Sequence, residues 1–308
     1  MEIKGIKEEI ERLKAERNAL ILAHNYQRAE VQEIADYVGD SLDMARFAAE
    51  SEAQVLVVAG VRFMAEVAKI LSPEKTVLLP VPDAGCPLAE SITPEDLKAL
   101  KAEHPNAKAV AYVNTYAELK AVAHAVATSR NAVDVVSSLD ADEVIFVPDK
   151  NLGEFVRSKA SKKVILWKGY CYVHAGYTLE EVRRARQEHP GALVVVHPEV
   201  PPEVQREADY VLSTGGMVQL ARESEASEFI IGTEEGLITR LRREFPQKRF
   251  WPLGAPRVCQ DMKKITVQDV YKALKEMVYP VELPPEVAEG ARRALEAMFK
   301  LQAVKSGP

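Results

Sequence analysis

Every cysteine in this chain occupies one column of a threefold internal repeat, and that repeat constrains the fold more than any other feature. Glu103-His104-Pro105-Asn106-Ala107 reappears 85 residues on as Glu188-His189-Pro190-Gly191-Ala192, and the two copies lead into the apolar runs Ala109–Tyr112 and Val194–His197. Carried back 88 residues, the frame lays Asn18-Ala19-Leu20-Ile21 over Asn106-Ala107-Lys108-Ala109. With these offsets His24, Tyr112 and His197 share a column, as do Tyr26, Asn114 and Glu199. So do Asp36, His124 and Asp209, and the hydroxyl residues Ser41, Ser129 and Thr214. Cys86, Cys171 and Cys259 each follow the third apolar run of their repeat, Val77–Leu79, Val164–Trp167 and Phe250–Leu253. Self-similarity at a fixed period marks one structural unit used several times.

Each repeat reads as strand, helix, strand, helix, strand. The short runs rich in Val, Ile and Leu suit strands buried on both faces. Between them Val31-Ile34-Val38, Leu42-Ala45-Ala49 and Val182-Ala185 keep helical spacing. Alternating strands and helices imply parallel sheets with right-handed crossovers. The expected fold is therefore α/β, with three homologous three-layer α/β/α domains around a pseudo-threefold axis. Its expected divisions are 1–87 with an N-terminal helix (Ile3, Ile6, Ile10, Leu13), 88–172, 173–260, and a helical tail, 261–308, packing back on the core. Pro284-Pro285 breaks that tail before a last helix carrying Val287, Ala291, Leu295, Met298 and Phe299.

Composition excludes several classes. With 47% hydrophobic and 28% charged residues the chain of 308 is globular in type. No apolar run approaches the roughly 18 residues of a membrane span, and the first residues are too charged for a signal peptide. A net charge of −6 argues against general nucleic-acid binding. An odd number of cysteines without a secretory signal points to a reducing, cytoplasmic setting.

In parallel sheets ligands bind beyond the carboxyl ends of the strands, where the polar columns fall. The residues there are large, polar and different in each repeat, as a symmetric scaffold holding an asymmetric ligand requires. The hydroxyl column reads as helix N-caps, and three helix starts also supply donors for phosphate or carboxylate. Ser213-Thr214-Gly215-Gly216 is the most phosphate-friendly of them, since glycine lets the backbone approach an anion closely. Three thiolates at equivalent strand ends suit an iron–sulfur cluster or zinc; the absence of C-x-x-C pairs disfavours structural zinc, though a three-Cys zinc site stays open. His104 and His189 sit before Pro at equivalent corners and read as structural, and His124 reads as a mid-helix residue. His174 stands three residues after Cys171, and Arg62, Arg257 and Lys263 lie near strand ends.

Several segments together carry a family resemblance: His24-Asn25-Tyr26-Gln27, Pro82-Asp83-Ala84-Gly85-Cys86-Pro87, Tyr112-Val113-Asn114-Thr115, Trp167-Lys168-Gly169-Tyr170-Cys171-Tyr172-Val173-His174, His197-Pro198-Glu199, Ser213-Thr214-Gly215-Gly216-Met217 and Cys259-Gln260-Asp261-Met262-Lys263. In that order, over about residues 20 to 270, the chain resembles the quinolinate synthases. The resemblance implies condensation of iminoaspartate with dihydroxyacetone phosphate to quinolinate, phosphate and water in NAD synthesis. It implies one [4Fe–4S] cluster on Cys86, Cys171 and Cys259 with an open iron, and an aspartate oxidase or dehydrogenase as pathway partner. It casts Tyr26, His197 and Glu199 as catalytic, with His24, Ser41, Tyr112, Asn114, Ser129, His174, Ser213 and Thr214 binding substrate. The chain lacks the C-x-x-C-type motif that some longer members carry near Cys259, and Arg130 is bulkier than the resemblance leads one to expect. Two rival readings are a different iron–sulfur hydro-lyase acting on a small dicarboxylic acid, and a non-enzymatic anion-binding or redox-sensing module holding zinc.

Overall fold

In the computed structural model the described residues are 3–305, with side chains described for 5–302. The remaining ends of the expected N-terminal helix and tail, and the side chain of Ile3, lie outside the described residues. Three four-stranded parallel sheets are present. The first holds β1 (Ala19–His24), β2 (Tyr37–Gly39), β3 (Val55–Ala59) and β4 (Thr76–Leu78). The second holds β5 (Lys108–Tyr112), β6 (Ala125–Ala127), β7 (Glu143–Val147) and β8 (Lys163–Leu166). The third holds β9 (Leu193–Val196), β10 (Tyr210–Val211), β11 (Glu228–Gly232) and β12 (Arg249–Pro252). All three share one strand order, second, first, third, fourth. Helices connect successive strands, so each sheet is one copy of the same α/β unit.

The short edge strand of each sheet is an addition to the expected three. Val38 lies in β2 rather than on a helix, and His124 immediately precedes β6 rather than sitting mid-helix. The column Asp36, His124 and Asp209 explains why so short a strand pairs in register. The Asp36 carboxylate accepts the Ile21 amide at 2.8 Å, while the Asp36 amide donates to the Ile21 carbonyl at 2.8 Å. His124 Nδ1 accepts from the Ala109 amide (2.8 Å) and Asp209 from the Val194 amide (2.7 Å), with the same backbone return bond. The column thus supplies the ladder bonds that two or three residues of strand cannot. Burial, with Lys101 and Lys108 nearby, lowers the His124 pKa, consistent with a neutral ring that accepts at Nδ1.

The helix caps also depart from expectation. Asp40, not Ser41, caps the helix Ser41–Glu50, accepting from the amides of Leu42 and Asp43. Ser213, not Thr214, caps Thr214–Glu223 through the Gly216 amide. In the second repeat the helix Ala132–Ser138 starts later, with Asn131 at its cap position, and the Thr128 amide and hydroxyl both donate to Asn131 Oδ1. Ser41 and Thr214 are therefore the first residues after their caps, whereas Ser129 precedes its cap.

The chain forms two compact units: residues up to Cys86 with Val258–Pro284, and Pro87–Arg257 with the helix from Pro285 on. In the first, Ile6, Ile10 and Leu13 of the N-terminal helix and Val267, Val270 and Leu274 of the helix Val267–Glu276 pack on β1 and β3. In the second, separate apolar clusters fill the two repeats, around Ala109, Ile145 and Leu97, and around Val194, Ile230 and Val204. The tail divides at Pro284-Pro285, and the helix Pro285–Lys305 packs on β6 and its flanking helices. Among the described residues no helix is long and apolar enough to cross a membrane.

Candidate functional site

With the strand order second, first, third, fourth, the chain leaves the first strand to one side and returns to the other. In open parallel sheets ligands bind at that reversal, beyond the carboxyl ends of the first and third strands. The polar columns sit there.

In the first unit His24 ends β1 and is buried, and its Nδ1 accepts from the Tyr26 amide at 3.2 Å. Tyr26 is half-buried, edge-on to the His24 ring at 4.6 Å. Lys263 Nζ donates to the Tyr26 carbonyl (2.6 Å), and Arg28 donates to the Lys263 carbonyl, which ties this turn to the segment after Cys259. Ser41 is half-buried at the start of its helix. Arg62 pairs with the buried Glu66 at 2.7 Å.

In the second unit the equivalent turn of the third repeat meets the end of β5. His197 Nδ1 accepts from the Glu199 amide at 3.3 Å, the same bond that His24 makes with Tyr26. The Glu199 carboxylate accepts from the Tyr112 hydroxyl at 2.7 Å and lies 2.7 Å from His174 Nδ1. His174 stacks on His197 with centroids 4.6 Å apart, and its Nε2 lies 2.8 Å from the Thr233 hydroxyl. Cys171 Sγ stands 3.3 Å from His174 Nδ1. One donor atom each from Cys171, His174 and Glu199 fits within 4.8 Å of the others, a group able to hold a metal ion. Asn114 and Ser129 are half-buried at neighbouring strand ends, whereas Thr214 is buried and the Ser213 hydroxyl is engaged in its cap. Arg130 is exposed.

Burial sets the charges here. It drives the His197 pKa down to about 3, so that ring is neutral near pH 7, accepting at Nδ1 and carrying its proton on Nε2. Burial alone would raise Glu199, but the imidazoles of His197 and His174 and hydrogen bonds from His174 and Tyr112 outweigh it and hold the carboxyl below its ordinary range. Asp149 is pushed the other way, first by burial and then by the Glu199 charge. Two buried acids with opposed shifts are the usual mark of divided acid and base roles.

The sequence reading missed Asp149, which is fully buried, caps the helix Lys150–Lys159 and accepts the Cys171 amide at 3.1 Å. It also missed the equivalent Glu234, which accepts from the Gly236 amide, and Thr233. The 85-residue offset relates Asp149 to Glu234 and would have found the pair. Arg257 pairs with Glu181 at 2.8 Å and lies over the Tyr177 ring. His104 and His189 terminate equivalent helices, Pro94–Glu103 and Leu179–Glu188, and His189 stacks on Trp251.

The three thiols are half-buried, and none is joined in a disulfide. Cys171 and Cys259 immediately precede short helices, Tyr172–Ala175 and Gln260–Lys263, and Cys86 precedes Pro87–Glu90. The repeat column therefore has one structural meaning, the turn after the fourth strand.

A threefold-repeated parallel α/β fold with polar columns beyond the carboxyl ends of its strands belongs to the class of α/β proteins that bind their ligands there. Residues 8–300 match the family described as Quinolinate synthetase A protein. Quinolinate synthase 2 of Methanosarcina acetivorans is 49% identical over 98% of this chain and 97% of its own length. The quinolinate synthases of Methanoregula boonei and Pyrococcus horikoshii are 52% and 50% identical, each over 96% of this chain and 98% of their own length. The chain belongs to the quinolinate synthase family and is an enzyme.

Proposed function

We propose that the chain condenses iminoaspartate with dihydroxyacetone phosphate, yielding quinolinate, phosphate and water for NAD synthesis. The observation that carries the chemistry is the buried network Tyr112–Glu199–His174–Cys171, in which an ionised acid, an imidazole and a thiol meet beyond the strand ends. The name quinolinate synthase, carried by relatives about half identical over nearly the whole chain, supports the product; the two substrates are what the family resemblance implies.

The donor set suits a [4Fe–4S] cluster: three half-buried thiols, none joined in a disulfide, each at the same point of its repeat. Cys86, Cys171 and Cys259 would hold it, and a cluster on three thiolates supplies an iron with an open position that acts as a Lewis acid. The remaining roles belong to the chain's own side chains. Glu199 and His197 form the acid/base pair: Glu199, kept ionised, accepts a proton, and the neutral His197 ring offers its Nε2–H as a hydrogen-bond donor to the reacting group. Tyr26 takes part in proton transfer. Tyr112, Asn114, Ser129 and Thr214 receive carboxylates, His24 and Ser41 the phosphate end, and His174 and Ser213 complete the binding set. An aspartate oxidase or dehydrogenase supplies the imine.

The test is an anaerobic assay with both substrates, iron and sulfide being counted on the same sample. Quinolinate formed by protein carrying iron and sulfide in equal amounts supports the proposal; protein with iron and sulfide that forms none refutes it. A single metal without sulfide would assign the Cys171, His174 and Glu199 group to that metal instead. Tyr26→Phe is expected to keep the iron content and abolish turnover, and full activity would remove Tyr26 from the mechanism.

A further inference from the structure

A second column of buried polar side chains lies behind the site turns. With the same offsets of 88 and 85, Gln32, Lys120 and Gln205 are equivalent, and all three are buried. None stands among the polar columns beyond the strand ends, and none belongs to a recognisable motif. Each donates backward to carbonyls of the turn after its repeat's first strand. Gln32 Nε2 reaches the carbonyls of Asn25 (3.3 Å) and Gln27 (3.0 Å). Lys120 Nζ reaches Val113 (2.9 Å) and, at shorter range, Thr115. Gln205 Nε2 reaches Pro198 (2.8 Å) and Val200 (2.9 Å), and also Asn151 (3.1 Å). The acceptors are themselves equivalent, and between each pair sits the site residue: Tyr26, Asn114 or Glu199.

We propose that Gln32, Lys120 and Gln205 are positioning residues that clamp the two carbonyls flanking each site residue and so fix where its side chain points. The geometry supports this. A buried carbonyl without a partner costs about 1–3 kcal/mol, so each turn needs a donor on its inner side. A single donor bridging residues on either side of Tyr26, Asn114 or Glu199 fixes the peptide planes between them. In the third repeat the clamp is doubled, since Gln205 also holds the Asn151 carbonyl while Asn151 Nδ2 donates to the Glu199 carbonyl at 3.0 Å. A lysine does in one repeat what glutamine does in the others, so the shared requirement is a donor of sufficient reach. This inference rests on the site reading above, because it takes Asn114 and Glu199 to act in turnover.

The test uses the reconstituted full-length enzyme with Lys120→Met and Gln205→Leu, which remove the donors, and Lys120→Gln and Gln205→Lys, which exchange them. The donor-free variants are expected to lose at least tenfold in kcat while KM changes less than threefold and iron and sulfide contents hold. The exchanged variants are expected to keep kcat within about fivefold. A merely structural clamp would lower the melting temperature and leave kcat of the folded fraction unchanged, which overturns the proposal. If the donor-free variants do not fold, the exchanged pair decides, and a tenfold loss of kcat in folded exchanged protein overturns it. Glu199→Gln, measured alongside, separates the two claims: full activity there refutes the site reading, whereas its inactivity beside active donor-free variants refutes only the clamp.

Discussion

Two imidazoles in equivalent turns behave alike because their backbone asks the same of them. His24 and His197 both accept the amide two residues on, which commits Nδ1 and leaves Nε2 as the proton-bearing atom. His197 is held near pKa 3 by burial, so the unfolded chain, with an ordinary imidazole near 6.5, takes up a proton that the folded chain refuses. Stability from this residue is therefore lost as pH falls below about 6.5, at up to about 1.4 kcal/mol per pH unit. Urea midpoints between pH 6.5 and 5 are expected to fall less steeply in His197→Gln, by about one proton's worth. An unchanged slope would mean that the ring is not held neutral. Glu199 contributes in a different window: its depressed carboxyl adds stability above its ordinary value near 4.5, and the contribution is lost as pH falls further. Glu199→Gln is expected to lower kcat roughly 10²–10⁴-fold, the range for removing a general acid or base, with iron content unchanged. The polar columns at the strand ends were legible from residue type and spacing. The repeat offsets also relate Asp149 to Glu234 and align the clamp residues, but their roles were not legible, because nothing in a lone buried Asp or Gln announces chemistry until its hydrogen-bond partners are known.

At the scale of the element, the strands that could be read were those long enough to show an apolar run. β2, β6 and β10 have three, three and two residues, too few for a period to declare itself, and they are held by the Asp36, His124 and Asp209 side chains. Asp209→Ala is expected to cost about 1–3 kcal/mol in unfolding free energy by leaving the Val194 amide unpaired. The closing helix Pro285–Lys305 depends on close approach. A Cβ at Gly290 would come within 2.8 to 3.0 Å of the Cβ, Cα and carbonyl oxygen of Ala121, and the last two are backbone that cannot turn aside. Gly290→Leu should therefore destabilise the second unit by about 1–3 kcal/mol despite leucine's better helix propensity, as read by chemical denaturation. A stabilised variant would show that the helix is free to shift.

For the whole molecule, the repeat arithmetic foretold one parallel sheet per repeat and a shared position for each cysteine, because repeats differing by only about three residues in length keep their columns nearly in register. The break at Pro284-Pro285 was legible from the two prolines, but not that the segment before it packs with the first sheet and the helix after it with the second repeat. That choice depends on which apolar faces remain uncovered, which no single segment of sequence records. The central claim is that Cys86, Cys171 and Cys259 together hold one iron–sulfur cluster. Iron and sulfide counted on anaerobically purified Cys86→Ser, Cys171→Ser and Cys259→Ser measure it most directly. The account predicts about four iron and four sulfide per chain in the parent and a large loss of both in every single variant. Full occupancy after removal of any one of the three thiols would contradict it.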